Sequence, residues 1–136
     1  MKLSKKQQST IVKIAREYGA TLVYMFGSYA QGKATKGSDV DIAILLPSTL
    51  SATKRFDIRC ILAEKLAGAL STPIDVVVLN DISSIFFKFV IIQEGEPLYE
   101  ESDVVRVMYE LRIMNEYYDF EPFLTAYNKA YVARAV

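Results

Sequence analysis

The chain has 136 residues, 51% of them hydrophobic, and its sixteen Lys and Arg balance sixteen Asp and Glu. That is enough apolar material for a single domain over 1–136, and zero net charge removes the electrostatic footprint expected of a protein that grips long nucleic acid by its backbone. The complete absence of histidine excludes Ser-His-Asp and Cys-His nucleophiles, histidine-ligated zinc and imidazole acid–base catalysis together.

In chain order, Ser4 to Tyr18 predicts an amphipathic helix: Ser4 is the N-cap, Ile11, Ile14, Ala15 and Tyr18 share a face, and Gly19 is the stop. Thr21 to Phe26 reads as a strand, Ser28 to about Gln31 as a short helix, and Gly32 to Ser38 as a loop feeding a strand from Asp39 to Leu46. Ser51 to Leu70 predicts a long helix. Within it the pattern Phe56, Arg59, Cys60, Ala63 places Cys60 at a buried position, where a lone cysteine packs as a small hydrophobe. Pro73 opens a third strand to Leu79, whose Val76-Val77-Val78 run suits burial on both faces. Ser83 or Ser84 caps a further helix to about Gln93, ended by Gly95, and Glu96 to Tyr99 forms a short edge strand. From Asp103 onward the chain is helical, with Pro122 either kinking one helix or starting a second. No apolar run reaches the roughly eighteen residues of a membrane span and the N-terminus lacks a signal-peptide core, so a cytoplasmic protein with no membrane partner is expected.

The chemistry concentrates between residues 25 and 44. Gly27 allows a tight exit from the strand and a close backbone approach to a ligand, and Ser28 can cap a helix or bond a phosphate oxygen. After ten intervening residues comes Asp39-Val40-Asp41. Side chains at i and i+2 of a strand project from one face, so the two carboxylates converge, and like charges held that close demand either a proton or a cation. Magnesium, a hard ion bound through one or two carboxylates and substrate phosphates, suits them. Asp75, at the head of the third strand, supplies a third carboxylate to the same sheet edge.

Gly-Ser, ten residues, Asp-x-Asp and a distal Asp opening a later strand resemble the signature of the DNA polymerase β-like nucleotidyltransferase superfamily. The form Gly27-Ser28-Tyr29-Ala30-Gln31-Gly32, the short length and the stretch Tyr117-Tyr118-Asp119-Phe120-Glu121-Pro122-Phe123 are similar to its minimal branch, the MNT antitoxins paired with HEPN ribonuclease toxins. The resemblance implies an α/β (α+β) fold: a small mixed sheet covered by helices, with a helical C-terminal segment over about 103–136. It implies transfer of AMP from ATP to a tyrosine hydroxyl of a HEPN toxin, with release of pyrophosphate. Asp39 and Asp41 are then expected to bridge two Mg²⁺ ions, and Asp75 to ligate one of them and take the acceptor's proton. Gly27 and Ser28 are expected to hold the triphosphate. One departure stands at Gln31, where many relatives carry Arg; Lys33 and Lys36 are near enough in sequence to substitute for its phosphate contact.

Two other functions fit the same residues: an antitoxin that acts by binding and occlusion alone, and nucleotidyl transfer to a small hydroxylated molecule such as an aminoglycoside. Tyr117, Phe120, Leu124, Tyr127 and Tyr131 recur at spacings of three and four, an aromatic stripe suited either to a core or to a partner's surface.

Overall fold

The computed structural model describes residues 2–135; Met1 and Val136, the ends of the predicted 1–136 unit and of its 103–136 segment, lie outside the described residues. The element order is α1 (Lys5–Glu17), β1 (Leu22–Phe26), α2 (Gly27–Ala30), β2 (Val40–Leu45), α3 (Ala52–Leu70), β3 (Ile74–Val78), a 3-10 turn (Leu79–Asp81), α4 (Ile85–Glu94), β4 (Glu96–Glu100) and α5 (Asp103–Ala135). The four strands form one sheet in the order β3-β2-β1-β4. β1 pairs antiparallel with β2 and with β4, while β2 and β3 run parallel. This is the predicted mixed sheet.

Strand alternation sorts the side chains onto two covered faces. Val23, Met25, Val40, Ile42, Ile44, Val76 and Val78 pack with Ile11 and Ala15 of α1 and with Ile58, Leu62, Leu66 and Leu70 of α3. On the other face Leu22, Tyr24 and Ala43 meet Ile91 and Ile92 of α4 and Tyr109 and Ile113 of α5. The sheet is thus sandwiched between helix pairs, and each fully buried aliphatic side chain contributes about 1.5–3 kcal/mol.

Helix starts follow the side-chain caps. The Ser4 hydroxyl accepts from the Gln7 amide (3.1 Å) while Gln7 Oε1 accepts from the Ser4 amide (2.8 Å), a reciprocal capping box. Ser51 and Ser84 cap α3 and α4 through the hydroxyl alone, each accepting at 3.1 Å from the amide three residues on.

Two expectations need adjustment. Cys60 is exposed, because the inward face of α3 is the series Ile58, Leu62, Leu66, Leu70, and Cys60 falls off that stripe. β2 begins at Val40, leaving Asp39 one residue ahead of the strand. At Pro122 the single-helix alternative holds: α5 runs through it as one 33-residue helix. A proline there removes one backbone donor, and the turns on either side keep their helical form.

Both sheet edges are blunted. Arg59 on α3 donates to the Val76 carbonyl of β3 (2.8 Å) and occupies a group that another strand would need. At the opposite edge β4 carries Pro97 between Glu96 and Glu100.

Candidate nucleotidyl-transfer site

The apolar run Leu22–Phe26 forms β1, and Gly27 turns the chain directly into α2. Gly27 adopts φ +72°, and the space its missing Cβ would fill is taken by the Asp41 carboxylate. Only glycine meets both demands, so the turn lies directly against the acid. Ser28 is the second residue of that short helix. The carbonyls of Gly27 and Ser28 then accept from the amides of Gln31 (3.1 Å) and Lys33 (2.9 Å). The loop closes at Thr35 and Ser38, where the Thr35 amide donates to the Ser38 hydroxyl (2.9 Å) and the Ser38 amide to the Thr35 carbonyl (2.9 Å).

Register brings the acids together. Phe26 is the Cα partner of Asp41 across β1 and β2, and Asp41 is the Cα partner of Asp75 across β2 and β3. Asp41 and Asp75 lie on the sheet face that carries Ala43 and Val77, at the end where β1 delivers Gly27, and Asp39, one residue ahead of β2, is close enough for its charge to act on Asp41. The β2 entry is fixed by the Val40 amide, which donates to the Pro73 carbonyl (3.0 Å) just ahead of β3. Asp39 and Asp75 are exposed and Asp41 is half-buried.

The electrostatics follow. Partial burial raises the pKa of the Asp41 carboxyl, and the neighbouring charges of Asp75 and Asp39 raise it further. A divalent cation would relieve that repulsion, and an all-carboxylate set is the hard oxygen chemistry that Mg²⁺ takes. In donor type and mutual repulsion the residues fit the ion. The side chains themselves are not gathered at ligand spacing: no group of three or more acidic or Cys side chains able to hold a metal occurs among the described residues.

Lys33 and Lys36 are exposed on the α2–β2 loop, and no ion pair among the described residues joins either ammonium to the three acids. Gln31 donates through Nε2 to Glu94 Oε2 at 2.8 Å, tying α2 to the end of α4. Phe26 meets Phe87 of α4 edge to face, with centroids 5.7 Å apart. Gly95 caps α4 with an ordinary negative φ; its need for glycine is space, since a Cβ would press on the Ile91 carbonyl and stand 3.1 Å from the Met25 carbonyl. The motif-based reading missed Glu94 and Phe87, which lie about sixty residues from the turn they touch. The serine cap and the helix-ending Gly95 marked the helix in the sequence, but not its contacts.

The expected aromatic stripe divides. Tyr117 stacks on Phe89 of α4 (3.7 Å, 6° between planes), whereas Tyr127 and Tyr131 are 67% and 65% exposed, so the distal half is not core of this chain. No helix among the described residues is long and apolar enough to cross a membrane.

A sheet that sets a Gly-Ser turn against acids at the head of two parallel strands defines the nucleotidyltransferase class, and the chain belongs to it: residues 9–104 match the family described as Polymerase beta, Nucleotidyltransferase. Among individual proteins, the chain is 37% identical over 94 residues to the protein adenylyltransferase MntA of Shewanella oneidensis, a match that takes in 68% of this chain and 64% of that protein's length. A solved toxin–antitoxin complex with AMP-PNP contains a chain that superposes with a TM-score of 0.74 at 28% identity, over 94% of this chain and 97% of the other. A second, a tri-AMPylated Shewanella oneidensis HEPN toxin in complex with MNT antitoxin, gives 0.71 at 25% identity, over 98% of both.

Proposed function

We propose that this chain is an Mg²⁺-dependent antitoxin that transfers AMP from ATP to a tyrosine hydroxyl of a HEPN ribonuclease toxin and so neutralises it. The observation that carries the reading is the juxtaposition of Asp41 with both Gly27 and Asp75, with the charge of Asp39 close by. The similarity to MntA and to chains in HEPN toxin complexes supports the choice of acceptor.

In this reading Asp39, Asp41 and Asp75 would hold two Mg²⁺ ions, which would supply neutralisation of the pyrophosphate charge and acidification of the acceptor hydroxyl. The chain's own residues do the positioning. The Ser28 hydroxyl and the amides after Gly27 orient the triphosphate, and Lys33 and Lys36 add positive charge on the adjoining loop. Asp75, exposed at the β3 edge, receives the proton of the acceptor. The exposed aromatic residues of distal α5 form the docking face for the toxin. The exposed thiol of Cys60 suits a reducing compartment, the cytoplasm.

The test is incubation of the purified chain with the HEPN protein, Mg²⁺ and ATP labelled at the α- or, separately, the γ-phosphate. Label entering the toxin from the α-position only, and absent with the Asp39→Ala/Asp41→Ala variant, is the expected result. A stable complex that inhibits the ribonuclease with no label transferred would replace transfer with occlusion.

A further inference from the structure

Helix α4, from its first turn to the glycine that ends it, holds the end of β1 and the turn beyond it at three points. Gly95 abuts the Met25 carbonyl, Phe87 meets Phe26 edge to face, and Glu94 accepts a 2.8 Å hydrogen bond from Gln31. The first two hold the strand. The third holds the far side of α2, because Gln31 is that helix's C-cap and its amide bonds back to the Gly27 carbonyl. A four-residue helix has too few internal bonds to keep its own shape, so an outside anchor at its last residue decides how firmly the turn is set.

We propose that Glu94 is a positioning residue for the Gly27–Gln31 turn: acting through Gln31, it pins the turn to α4 and fixes the backbone available to the nucleotide. The second half of this statement rests on the nucleotide-transfer reading; the first half does not. Glu94 touches no reacting group. An acceptor oxygen is all that the bond requires of position 94, so glutamine can serve there and alanine cannot. Because the pair is exposed, its contribution is that of one solvent-accessible hydrogen bond, a factor of about three to ten in an equilibrium.

Two readouts on Glu94→Ala, Glu94→Gln, Gln31→Ala and the Glu94→Ala/Gln31→Ala double variant separate the two halves. Amide exchange at Gln31 and Lys33, whose N–H groups close the turn, should quicken by about threefold to tenfold in both alanine variants. It should stay at the wild-type rate in Glu94→Gln, and the double variant should match the single ones. Affinity for ATP with Mg²⁺, measured by calorimetric titration, should fall by a similar factor in the same three variants and be restored in Glu94→Gln. Unchanged exchange in a folded Glu94→Ala protein overturns the proposal, as does a double variant whose effects multiply. Should Glu94→Ala not fold, Gln31→Ala, an exposed substitution, decides by the same exchange measurement. Wild-type protein that binds no ATP would remove the nucleotide reading, while the exchange rates would still decide whether Glu94 sets the turn.

Discussion

The carboxylate of Asp41 occupies the space into which a side chain at position 27 would project, and Gly27 holds φ +72° beside it. Turn and acid are therefore fitted to each other, and a methyl group at position 27 meets a steric and a conformational penalty at once. Gly27→Ala should lose about 1–3 kcal/mol of stability, measured by urea denaturation. Nucleotidyl transfer should fall by much more than the fraction unfolded, because Asp41 must move to make room. A variant with wild-type activity would show that the acid and the turn do not need to lie in contact.

Asp41 is a conflict in the free protein. Its carboxyl pKa stands above the ordinary aspartate value, through partial burial first and then the charges of Asp75 and Asp39. The folded chain therefore binds that proton more tightly than the unfolded chain does. The contribution is favourable in acid and is lost as pH rises through the raised pKa. Asp41→Asn should abolish transfer yet raise the neutral-pH melting temperature of the metal-free protein by about 1–3 °C, a gain that disappears in acid. Mg²⁺ should raise the wild-type melting temperature at neutral pH and leave that of the variant unmoved. A variant less stable than wild type at neutral pH would mean that the three acids do not repel.

Much of this arrangement is legible in the sequence because it is built from short-range rules. The Asp-x-Asp spacing keeps Asp39 close to Asp41, serine caps mark three helix starts, and glycine marks the turn. What escapes is what depends on partners distant in sequence. The parallel register that sets Asp75 opposite Asp41, the hydrogen bond from Gln31 to Glu94, and the need for glycine at position 95 all arise from packing between elements some thirty to seventy residues apart. The exposure of Cys60 escapes for a local reason. On a long helix with apolar residues on several sides, the stripe through Phe56 and Cys60 competes with the one through Ile58 and Leu62, and only the sheet's position selects between them.

That choice of face gives a direct chemical check. With its thiol on the outer side of α3, Cys60 should react fully with a water-soluble thiol reagent in the native protein, at a rate close to that in denaturant. Blocking it with a small adduct should leave the melting temperature and transfer activity unchanged. Slow labelling that needs denaturant would restore the buried placement.

The far end of the sheet offers a stability test separated from the site. Asn80, in the turn after β3, accepts from the Leu46 amide (2.9 Å) and donates to the Leu46 carbonyl (2.8 Å), stapling the chain as it leaves β2. Asn80→Ala strands both backbone groups in a half-buried position and should cost about 1–3 kcal/mol. Asn80→Asp, which keeps the acceptor and loses the donor, should fall between. Transfer activity per folded molecule should be untouched in both, since the acids lie at the opposite strand ends. Reduced activity in a fully folded Asn80→Ala protein would mean that the two ends of the sheet are coupled.

Distal α5 is where the fold asks for something beyond itself. Tyr117 is secured by its stack on Phe89, but Tyr118, Phe123, Tyr127, Tyr131 and Val132 are all between 58% and 72% exposed. A helical stretch with that much apolar surface and a proline at position 122 draws little stability from propensity alone, so contact with a partner is what would hold it. Truncation after Tyr118 removes few contacts to the sheet and should leave a folded protein, with a melting temperature within a few degrees of the full chain and ATP binding intact. Association with the HEPN toxin, followed by co-elution in size-exclusion chromatography, should be lost, and transfer of AMP to the toxin with it. If the truncated chain still binds the toxin at full strength, the docking face lies elsewhere on the molecule. If it fails to fold, the distal helix contributes to the domain in a way that its exposure does not account for.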